Sequence, residues 1–578
     1  MNPLRRWLPH WANHYPRQHL RADVLAGLVV TVLVLPQSMA YAMLAGLPPQ
    51  AGLYASILPV VVYALVGSSM TQAVGPVAIT AIMTFSVLSP LAAPASAYYL
   101  TLAATLALLS GLIILALGAL RLGFLSNLLS RPVVGGFISG SALLIVLTQL
   151  KVLLGLQIVA ATPWGQIVAV ANQLGQFHTA TLALSGLSIA VLVFSRSRLS
   201  GKLVRWGVPL QTAQMTTRLV PLALLILATL AVATWDLDHR YGVAVVGSVA
   251  SGLPDLRLQL PTSSDLGLLW VPALTLAFIG TVQNITMAQA LATKRHERVD
   301  ANRELVGLGS ANVAAAVFGG MPVGGGLSRS AVNTSSGAQT PLAGLVSATC
   351  MLGIVLSGTS WFSRIPNSVL AASIVVAAIT MIDVAEFRRA WTYDRADALA
   401  FLGTALGVFA MGLQAGVVLG VGLTLATLVY RSSVPHIAVV GRIDGTEQFR
   451  NVARHGVHTL PGVLFLRIDE SIFFGNLQAI EARLMQELAK LPQAHDIVLI
   501  MSAVNRVDLT GLEALTDMER DLRGRGILLH LAEVKGPVQD RLLPTVLWAA
   551  LGARVHPSAF AAFQCLSTDR LDDGTRLG

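Results

Sequence analysis

The sequence predicts an α-helical membrane bundle that crosses the bilayer many times and is followed by a small soluble α/β domain. Of the 578 residues, 54% are hydrophobic and only 12% are charged, which is about half the charged share of an ordinary soluble protein. Residues 24–120 contain no Asp, Glu, Lys or Arg, and a run of that length allows about four crossings of about 20 residues each. After Arg431 charged residues return, and short β-rich runs alternate with helical patterns.

Later uncharged runs leave room for about eight to ten further crossings. They are residues 152–195, 219–235, 266–293, 305–328, 330–363, 365–382 and 398–430. Basic residues cluster in the loops 196–218 and 294–298, whereas the loop 236–265 is biased towards Asp. The positive-inside rule therefore places the two basic loops in the cytoplasm.

These patterns divide the chain into three parts. Residues 1–22 form a basic N-terminal segment, 23–431 the membrane domain and 432–578 the soluble domain. The first apolar run lacks the short hydrophobic region and cleavage site of a signal peptide. We expect the N-terminus to be cytoplasmic, and an even number of crossings would place the soluble domain on the same side.

The soluble domain has the alternating pattern of a small α/β fold. Its predicted buried strands are residues 462–468, 497–501 and 527–531. Apolar residues at helical spacing lie between them, in the segments 477–488 and 512–522.

Composition and motifs exclude several classes of function. The formal charge of +10 arises largely from the cytoplasmic loops, so we expect no nucleic-acid partner. The two cysteines cannot form a disulfide framework or a thiolate metal site. Because neither a phosphate-binding P-loop pattern nor a catalytic constellation is visible, we expect no enzyme activity, no cofactor and no metal.

The most informative residue is Arg329, the only charged side chain between Leu305 and Ser363. A guanidinium stays charged, and placing it near the middle of a bilayer costs about 2.5–3.5 kcal/mol on insertion scales. We therefore expect Arg329 to face a protein cavity and to bind an anion.

Two glycine-containing breaks can start helices inside the membrane, where the exposed N–H groups and the helix dipole attract anions. Gly75, Pro76 and Val77 form the first break. Gly326, Leu327 and Ser328 form the second, followed by Arg329 and Ser330. Alternatively, the glycines serve packing and Arg329 extends its charged end to an interface.

Polar side chains elsewhere in apolar runs can line the same cavity. Gln37 and Tyr41 follow Pro36, which interrupts helical hydrogen bonding. Gln283 forms a second polar point, beside Asn284. The alternative is that these amides bond only to a neighbouring helix.

Together these motifs resemble the SulP family of sulfate permeases and anion exchangers. The residues that carry the resemblance are Pro36–Tyr41, Gly46–Pro49, Gly52–Tyr54, Gly75–Ala78, Pro322–Asn333 and Thr340–Gly344. It implies fourteen transmembrane segments in two inverted repeats of seven, a core domain that moves against a gate domain, and a cytoplasmic STAS domain. It also implies a homodimer and an anion site between segments three and ten, with Gln37 and Tyr41 contributed by segment one.

The sequence departs from the family pattern at two places. Many bacterial members have a carboxylate in segment eight where this chain has Gln283, which leaves anion exchange, coupling through another group and passive conduction open. Asp508 and Thr510 resemble a phosphorylated loop of STAS domains, with Leu509 in place of its first hydroxyl residue. A plain turn and helix cap is the simpler interpretation there.

The resulting hypothesis is secondary transport of a small inorganic anion across the plasma (bacterial inner) membrane. Sulfate is the first candidate, followed by bicarbonate, chloride or a dicarboxylate. A nucleobase carrier of the same architecture would not need Arg329. A membrane sensor would instead signal through the STAS domain, to which a cytoplasmic partner would bind.

Overall fold

The computed structural model describes residues 9–13, 15–124, 130–158, 162–247, 252–254, 262–357 and 362–574. Parts of the acid-biased loop, including Asp255 and Arg257, lie outside these ranges. The chain divides into two compact units, Met1–Thr424 and Leu425–Gly578. Each unit is described on its own.

The first unit is almost entirely helical. Its helices are α1 (His10–Asn13), α2 (Leu20–Leu44), α3 (Pro49–Tyr54), α4 (Leu58–Val66), α5 (Ala78–Leu88), α6 (Ala97–Ala119), α7 (Arg131–Leu154), α8 (Pro163–Asn172), α9 (Thr179–Phe194), α10 (Ser200–Arg205), α11 (Leu210–Trp235), α12 (Leu237–Tyr241), α13 (Ser263–Arg295), α14 (Ala301–Val317), α15 (Leu327–Ser335), α16 (Leu342–Ser357), α17 (Asn367–Ile379), α18 (Val384–Tyr393), α19 (Arg395–Met411) and α20 (Leu413–Ser433), the last of which continues into the second unit.

Length and composition make much of this unit suited to a bilayer. Within the described residues, eight helical stretches are long and apolar enough to cross a membrane. Shorter apolar helices such as α5 and α16 lie among them. The predicted membrane bundle is confirmed, whereas the number fourteen stays a prediction.

The helices of this unit pack as two sets. In one set α14 packs against α4 and α6, and α16 packs against α2. In the other, α7 packs against α17 and α19, and α17 packs against α9. Small residues allow close approach, since a Cβ on Gly111 of α6 would lie 2.9 Å from the carbonyl oxygen of Gly309 in α14.

Two short strands interrupt the helices. β1 (Val74–Gly75) precedes α5, and β2 (Gly324–Gly325) precedes α15. They pair antiparallel, with Val74 opposite Gly325 and Gly75 opposite Gly324. The strand pair therefore brings the beginnings of two short helices together.

The second unit is a six-stranded sheet with helices. Its strands are β3 (Ile437–Arg442), β4 (Phe449–Asn451), β5 (Val463–Ile468), β6 (Asp496–Ile500), β7 (Leu528–Ala532) and β8 (Val555–His556), and its helices are α21 (Leu477–Ala489), α22 (Leu509–Gly524), α23 (Gly536–Leu542), α24 (Val546–Leu551) and α25 (Ala559–Gly574). The strand order is β4-β3-β5-β6-β7-β8, in which β5 to β8 are parallel and β3 pairs antiparallel with both neighbours. The three predicted strands correspond to β5, β6 and β7, and the α/β prediction is confirmed.

A chain of buried hydrogen bonds links three strands of this sheet. Nδ1 of His530 lies 3.0 Å from Nε2 of His556, and Nε2 of His530 lies 3.0 Å from Oδ1 of Asp496. Because a carboxylate only accepts, His530 donates from Nε2, and a neutral His530 then accepts from His556 at Nδ1. Burial, and after it the charge of a protonated His530, lowers the pKa of His556 below its ordinary value.

We expect the lowered pKa of His556 to make the protein less stable in mild acid. Unfolded His556 takes up a proton near its ordinary pKa of about 6.5, whereas the folded form resists protonation to lower pH, so the unfolded state binds more protons in this window. Thermal unfolding of the full-length protein should therefore have a lower midpoint at about pH 5.5 than at about pH 8. His556→Gln should reduce that difference, and an equal pH effect in both proteins would contradict the expectation.

Candidate functional site

The two short helices α5 and α15 begin close to the positions predicted for them. α15 begins at Leu327, as expected, and α5 begins at Ala78, just after the Gly75–Val77 break. Val77 and Gly326 hold extended backbone at the N-cap positions. The first N–H groups of both helices are thus available beside one strand pair.

Hydrogen bonds connect the two breaks directly. The N–H of Gly326 donates to the carbonyl of Ala73 at 3.1 Å. The N–H of Ala73 donates to Oγ of Ser330 at 2.9 Å, and Nδ2 of Asn333 donates to the carbonyl of Thr71 at 2.9 Å. These contacts hold the start of α15 against the segment that leads into α5.

Arg329 lies at the centre of this arrangement. Its side chain is buried, with 6% of the residue exposed. Nη1 donates to the carbonyl of Val74 and Nη2 to the carbonyl of Pro76, each at 3.2 Å. These bonds use two of the five N–H donors of a guanidinium. Arg329 therefore does not extend to an interface, and it adds a fixed positive charge beside the beginning of α5.

The position of the Arg329 guanidinium requires a glycine at position 75. A Cβ built on Gly75 would lie 1.8 Å from Nη1 of Arg329, a distance that no pair of non-bonded atoms tolerates. Its φ of +157° is also rarely adopted by residues with a side chain. A glycine at this position lets the guanidinium reach the backbone of β1.

Gln37 and Arg329 line the same small cavity. Its volume is about 30 Å³, and its other lining residues are Val30, Leu33, Val34 and Val332. Both α5 and α15 pack against α2, the helix that carries Gln37 and Tyr41. Tyr41 is partly buried and packs against the apolar core of the unit.

The side chains of Gln283 and Ser330 each form a hydrogen bond with backbone atoms at the strand pair. Gln283 bonds to Gly325 of β2, and Ser330 bonds to Ala73, which directly precedes β1. Nε2 of Gln283 donates to the carbonyl of Gly325 at 3.2 Å, while its Oε1 is buried and has no hydrogen-bond partner among the described residues. Ser330 is fully buried and accepts from Ala73. For Leu327 and Ser328, only the backbone belongs to the described part of the structure.

Behind the strand pair lies a group of polar residues of which sequence reasoning identified only Asn284. Glu304 is fully buried in the first turn of α14 and accepts hydrogen bonds from Tyr63 and Asn284. Asn284 in turn accepts from Gln72. Glu304 lies at the edge of an apolar run, so a signal existed, but nothing in the sequence indicates its partners.

In the second unit, Asp508 is the N-cap of α22. Its Oδ1 accepts from the N–H of Gly511 at 2.7 Å, and its Oδ2 accepts from the N–H of Phe474 at 3.1 Å. Thr510 is exposed in the first turn of the helix. The interpretation as a helix cap is confirmed, and a regulatory role of Asp508 and Thr510 stays a prediction.

One group of side chains outside these sites has metal-ligating atoms close together. Among the described residues, ligand atoms of Asp236, Asp238 and His239 lie within 4.8 Å of one another. Arg364 lies 3.9 Å from a carboxylate oxygen of each aspartate. The single positive charge of Arg364 thus offsets part of the charge of these two carboxylates.

Comparison with known proteins identifies related chains over nearly the whole length. Residues 20–404 match the sulfate permease family, and residues 456–546 match the STAS domain. A probable sulfate transporter of Mycobacterium tuberculosis is 34% identical over 95% of this chain and 96% of its own. The chloroplastic sulfate transporter 4.1 of Arabidopsis thaliana is 31% identical, over 99% of this chain and 84% of its own.

Solved structures share the fold. The murine Solute Carrier 26 family member A9 anion transporter, in its inward-facing state, gives a TM-score of 0.87 at 22% identity, over 98% of this chain and 94% of its own. The transmembrane domain of the cyanobacterial bicarbonate transporter BicA gives 0.60 at 24% identity, over 70% of this chain and 98% of its own. The chain belongs to the sulfate permease family of multi-pass membrane anion transporters and carries a C-terminal STAS domain.

Proposed function

We propose that the protein is a secondary transporter of a small inorganic anion, with sulfate as the first candidate. The observation that carries the proposal is the meeting of two helix N-termini, α5 and α15, beside the buried guanidinium of Arg329. N–H groups, helix dipoles and a fixed positive charge all favour an anion and disfavour a neutral nucleobase. Relatives named sulfate transporters support sulfate.

The proposed anion site comprises the two breaks, the facing wall of α2 and Gln283 of α13. Backbone N–H groups and the guanidinium would hold the anion, while amide and hydroxyl groups would line the cavity. Its residues are Gln37, Tyr41, Gly75, Pro76, Val77, Gln283, Gly326, Leu327, Ser328, Arg329 and Ser330. The cavity beside Gln37 and Arg329 has a volume of about 30 Å³.

Transport then follows from movement of one helix set against the other. The set containing α2, α14 and α16 carries the site as a core, and the set containing α7, α17 and α19 acts as a gate. Such movement exposes the same site to each side of the membrane in turn. We further propose a homodimer in the plasma (bacterial inner) membrane, with both termini cytoplasmic and the STAS domain free to bind a cytoplasmic partner.

Uptake of radiolabelled sulfate into proteoliposomes tests this function. We expect saturable uptake that depends on the protein, with bicarbonate, chloride and dicarboxylates as competitors in the same assay. Any anion that competes more strongly than unlabelled sulfate is then labelled itself, and its saturable uptake would identify it as the substrate in place of sulfate. Lack of saturable uptake of every anion would overturn transport and favour a sensor that signals through the STAS domain.

Position 283 has no group that titrates in the wild-type protein, so we expect its side chain to add no pH dependence to uptake. Gln283→Glu should add such a dependence. An ionised glutamate would turn two acceptor oxygens towards the carbonyl of Gly325, which now accepts from Gln283, and would repel the anion. Protonation would restore a donor and remove the charge. Uptake by Gln283→Glu, measured with equal pH on both sides, should therefore rise as pH falls, and a flat pH profile would contradict this expectation.

A further inference from the structure

Glu304 is a fully buried carboxylate held by five hydrogen bonds. Its Oε1 accepts from the N–H and Oγ of Ser68 and from the N–H of Ser69, each at 2.8 Å. Its Oε2 accepts from the hydroxyl of Tyr63 and from Nδ2 of Asn284. Donors thus converge on both oxygens of the carboxylate.

The carboxylate determines the orientation of two amides in series. Because Glu304 can only accept, Asn284 must turn Nδ2 towards it, at 3.1 Å. Oδ1 of Asn284 then faces away and accepts from Nε2 of Gln72 at 2.6 Å. Oε1 of Gln72 is left buried without a hydrogen-bond partner among the described residues. These three residues form the amide relay: Glu304, Asn284 and Gln72.

The amide relay ends against the strand pair from which both short helices begin. A Cβ on Gly325 would lie 2.4 Å from Nε2 of Gln72 and 2.9 Å from Oδ1 of Asn284. Gln72 directly precedes Ala73, whose N–H and carbonyl bond to Ser330 and Gly326. The amide relay therefore lies directly against the segments from which both short helices begin.

We propose that Glu304 is a positioning residue for the anion site, acting through Asn284 and Gln72 without touching the anion. This inference rests on the proposed function, since it concerns the same pair of helix starts. A carboxylate is required because an amide at position 304 would present a donor to the donor of Asn284. Its contribution is to the affinity for the anion, because the relay holds the groups that bind it.

Exchange of the carboxylate and the amide gives a sharp test. In Glu304→Gln, the new NH₂ group forces Asn284 to flip, and Gln72 must flip after it, which moves Nε2 away from Asn284 to the buried place now held by Oε1. In the double variant Glu304→Gln with Asn284→Asp, the aspartate accepts from both sides, and Gln72 keeps its observed orientation. The double variant also keeps the net charge of the relay.

The experiment measures KM and Vmax of anion uptake for the full-length protein in proteoliposomes, together with the melting temperature. We expect Glu304→Gln to raise KM by about tenfold, equivalent to about 1.4 kcal/mol. The double variant should return KM to within about threefold of wild type. If Glu304 had a purely structural role, Glu304→Gln would lower the melting temperature and Vmax but leave KM unchanged.

Asp23 provides a matched control. It is a second fully buried carboxylate of the same unit, and it accepts from the N–H groups of Gln339 and Thr340. Asp23→Asn should lower the melting temperature and leave KM near wild type. If Glu304→Gln does not accumulate as folded protein, Gln72→Met removes the far end of the relay and should raise KM similarly.

The outcomes separate this proposal from the proposed function. KM is measured with whichever anion of the panel the wild-type protein transports. Absence of transport by the wild-type protein overturns the proposed function. An active wild-type protein with unchanged KM in Glu304→Gln or in Gln72→Met overturns the role of Glu304, as does a double variant no better than Glu304→Gln.

Discussion

Arg329→Ala should reduce anion uptake by about a hundredfold, equivalent to about 2.7 kcal/mol. The substitution removes the fixed charge of the site and the two hydrogen bonds to the carbonyls of Val74 and Pro76. Hydrogen bonds to charged groups contribute about 1.5–3 kcal/mol each. Uptake by Arg329→Lys should lie between that of the wild-type protein and that of Arg329→Ala, because an ammonium keeps the charge but lacks the planar fork that reaches both carbonyls.

The control for this experiment is Arg196→Ala. Arg196 is an exposed arginine of the same unit that also donates to a backbone carbonyl, that of Val376 at 3.1 Å. Uptake should stay close to wild type, since Arg196 is not one of the proposed anion-binding residues. Normal uptake by folded Arg329→Ala would exclude the proposed site, and a loss that only parallels unfolding would assign Arg329 a structural role.

Gly75→Val should reduce uptake nearly as strongly as Arg329→Ala. The new Cβ would overlap Nη1 of Arg329, 1.8 Å away, so the guanidinium must leave its position and lose both carbonyl partners. Because the two substitutions act on the same group, their effects should not add in the double variant. Uptake of the two single variants and the double variant measures this coupling.

Gly353→Ala is the matched glycine control. Gly353 lies in α16, and a Cβ built there meets no heavy atom within 4 Å. A helical alanine in open space should be neutral or stabilising. If Gly75→Val transports normally, or if its effect adds fully to that of Arg329→Ala, the close approach of Gly75 and Arg329 has no part in anion binding.

Part of the candidate site could be predicted from local sequence features. Glycine and proline breaks in apolar runs indicated where α5 and α15 begin, because such residues alter backbone hydrogen bonding within a few positions. The isolated charge of Arg329 indicated a buried cation. Its partners were not predictable, since the carbonyls of Val74 and Pro76 lie more than 250 positions away.

The polar network behind the site lay beyond sequence reasoning for the same reason. Asn284 was visible as a polar residue in an apolar run. Gln72 lies in a polar stretch (Ser68–Gln72) within the run 24–120 and looks like an ordinary loop residue, and Glu304 directly precedes the run 305–328 and looks like an ordinary boundary residue. Their roles depend on hydrogen bonds between residues as many as 241 positions apart. Polarity along the chain does not indicate which donor meets which acceptor.

The sequence by itself determined the membrane class of the protein, the separate α/β domain and the glycine-containing breaks beside which the short helices α5 and α15 begin. These properties follow from hydropathy, periodicity and the backbone preferences of glycine and proline, all of which act locally. Only the tertiary structure decided that Arg329 bonds to the strand before α5 and that Glu304 orients Asn284 and Gln72. Those arrangements depend on pairing β1 with β2 and packing α14 against α4, which bring distant donors and acceptors within hydrogen-bonding distance.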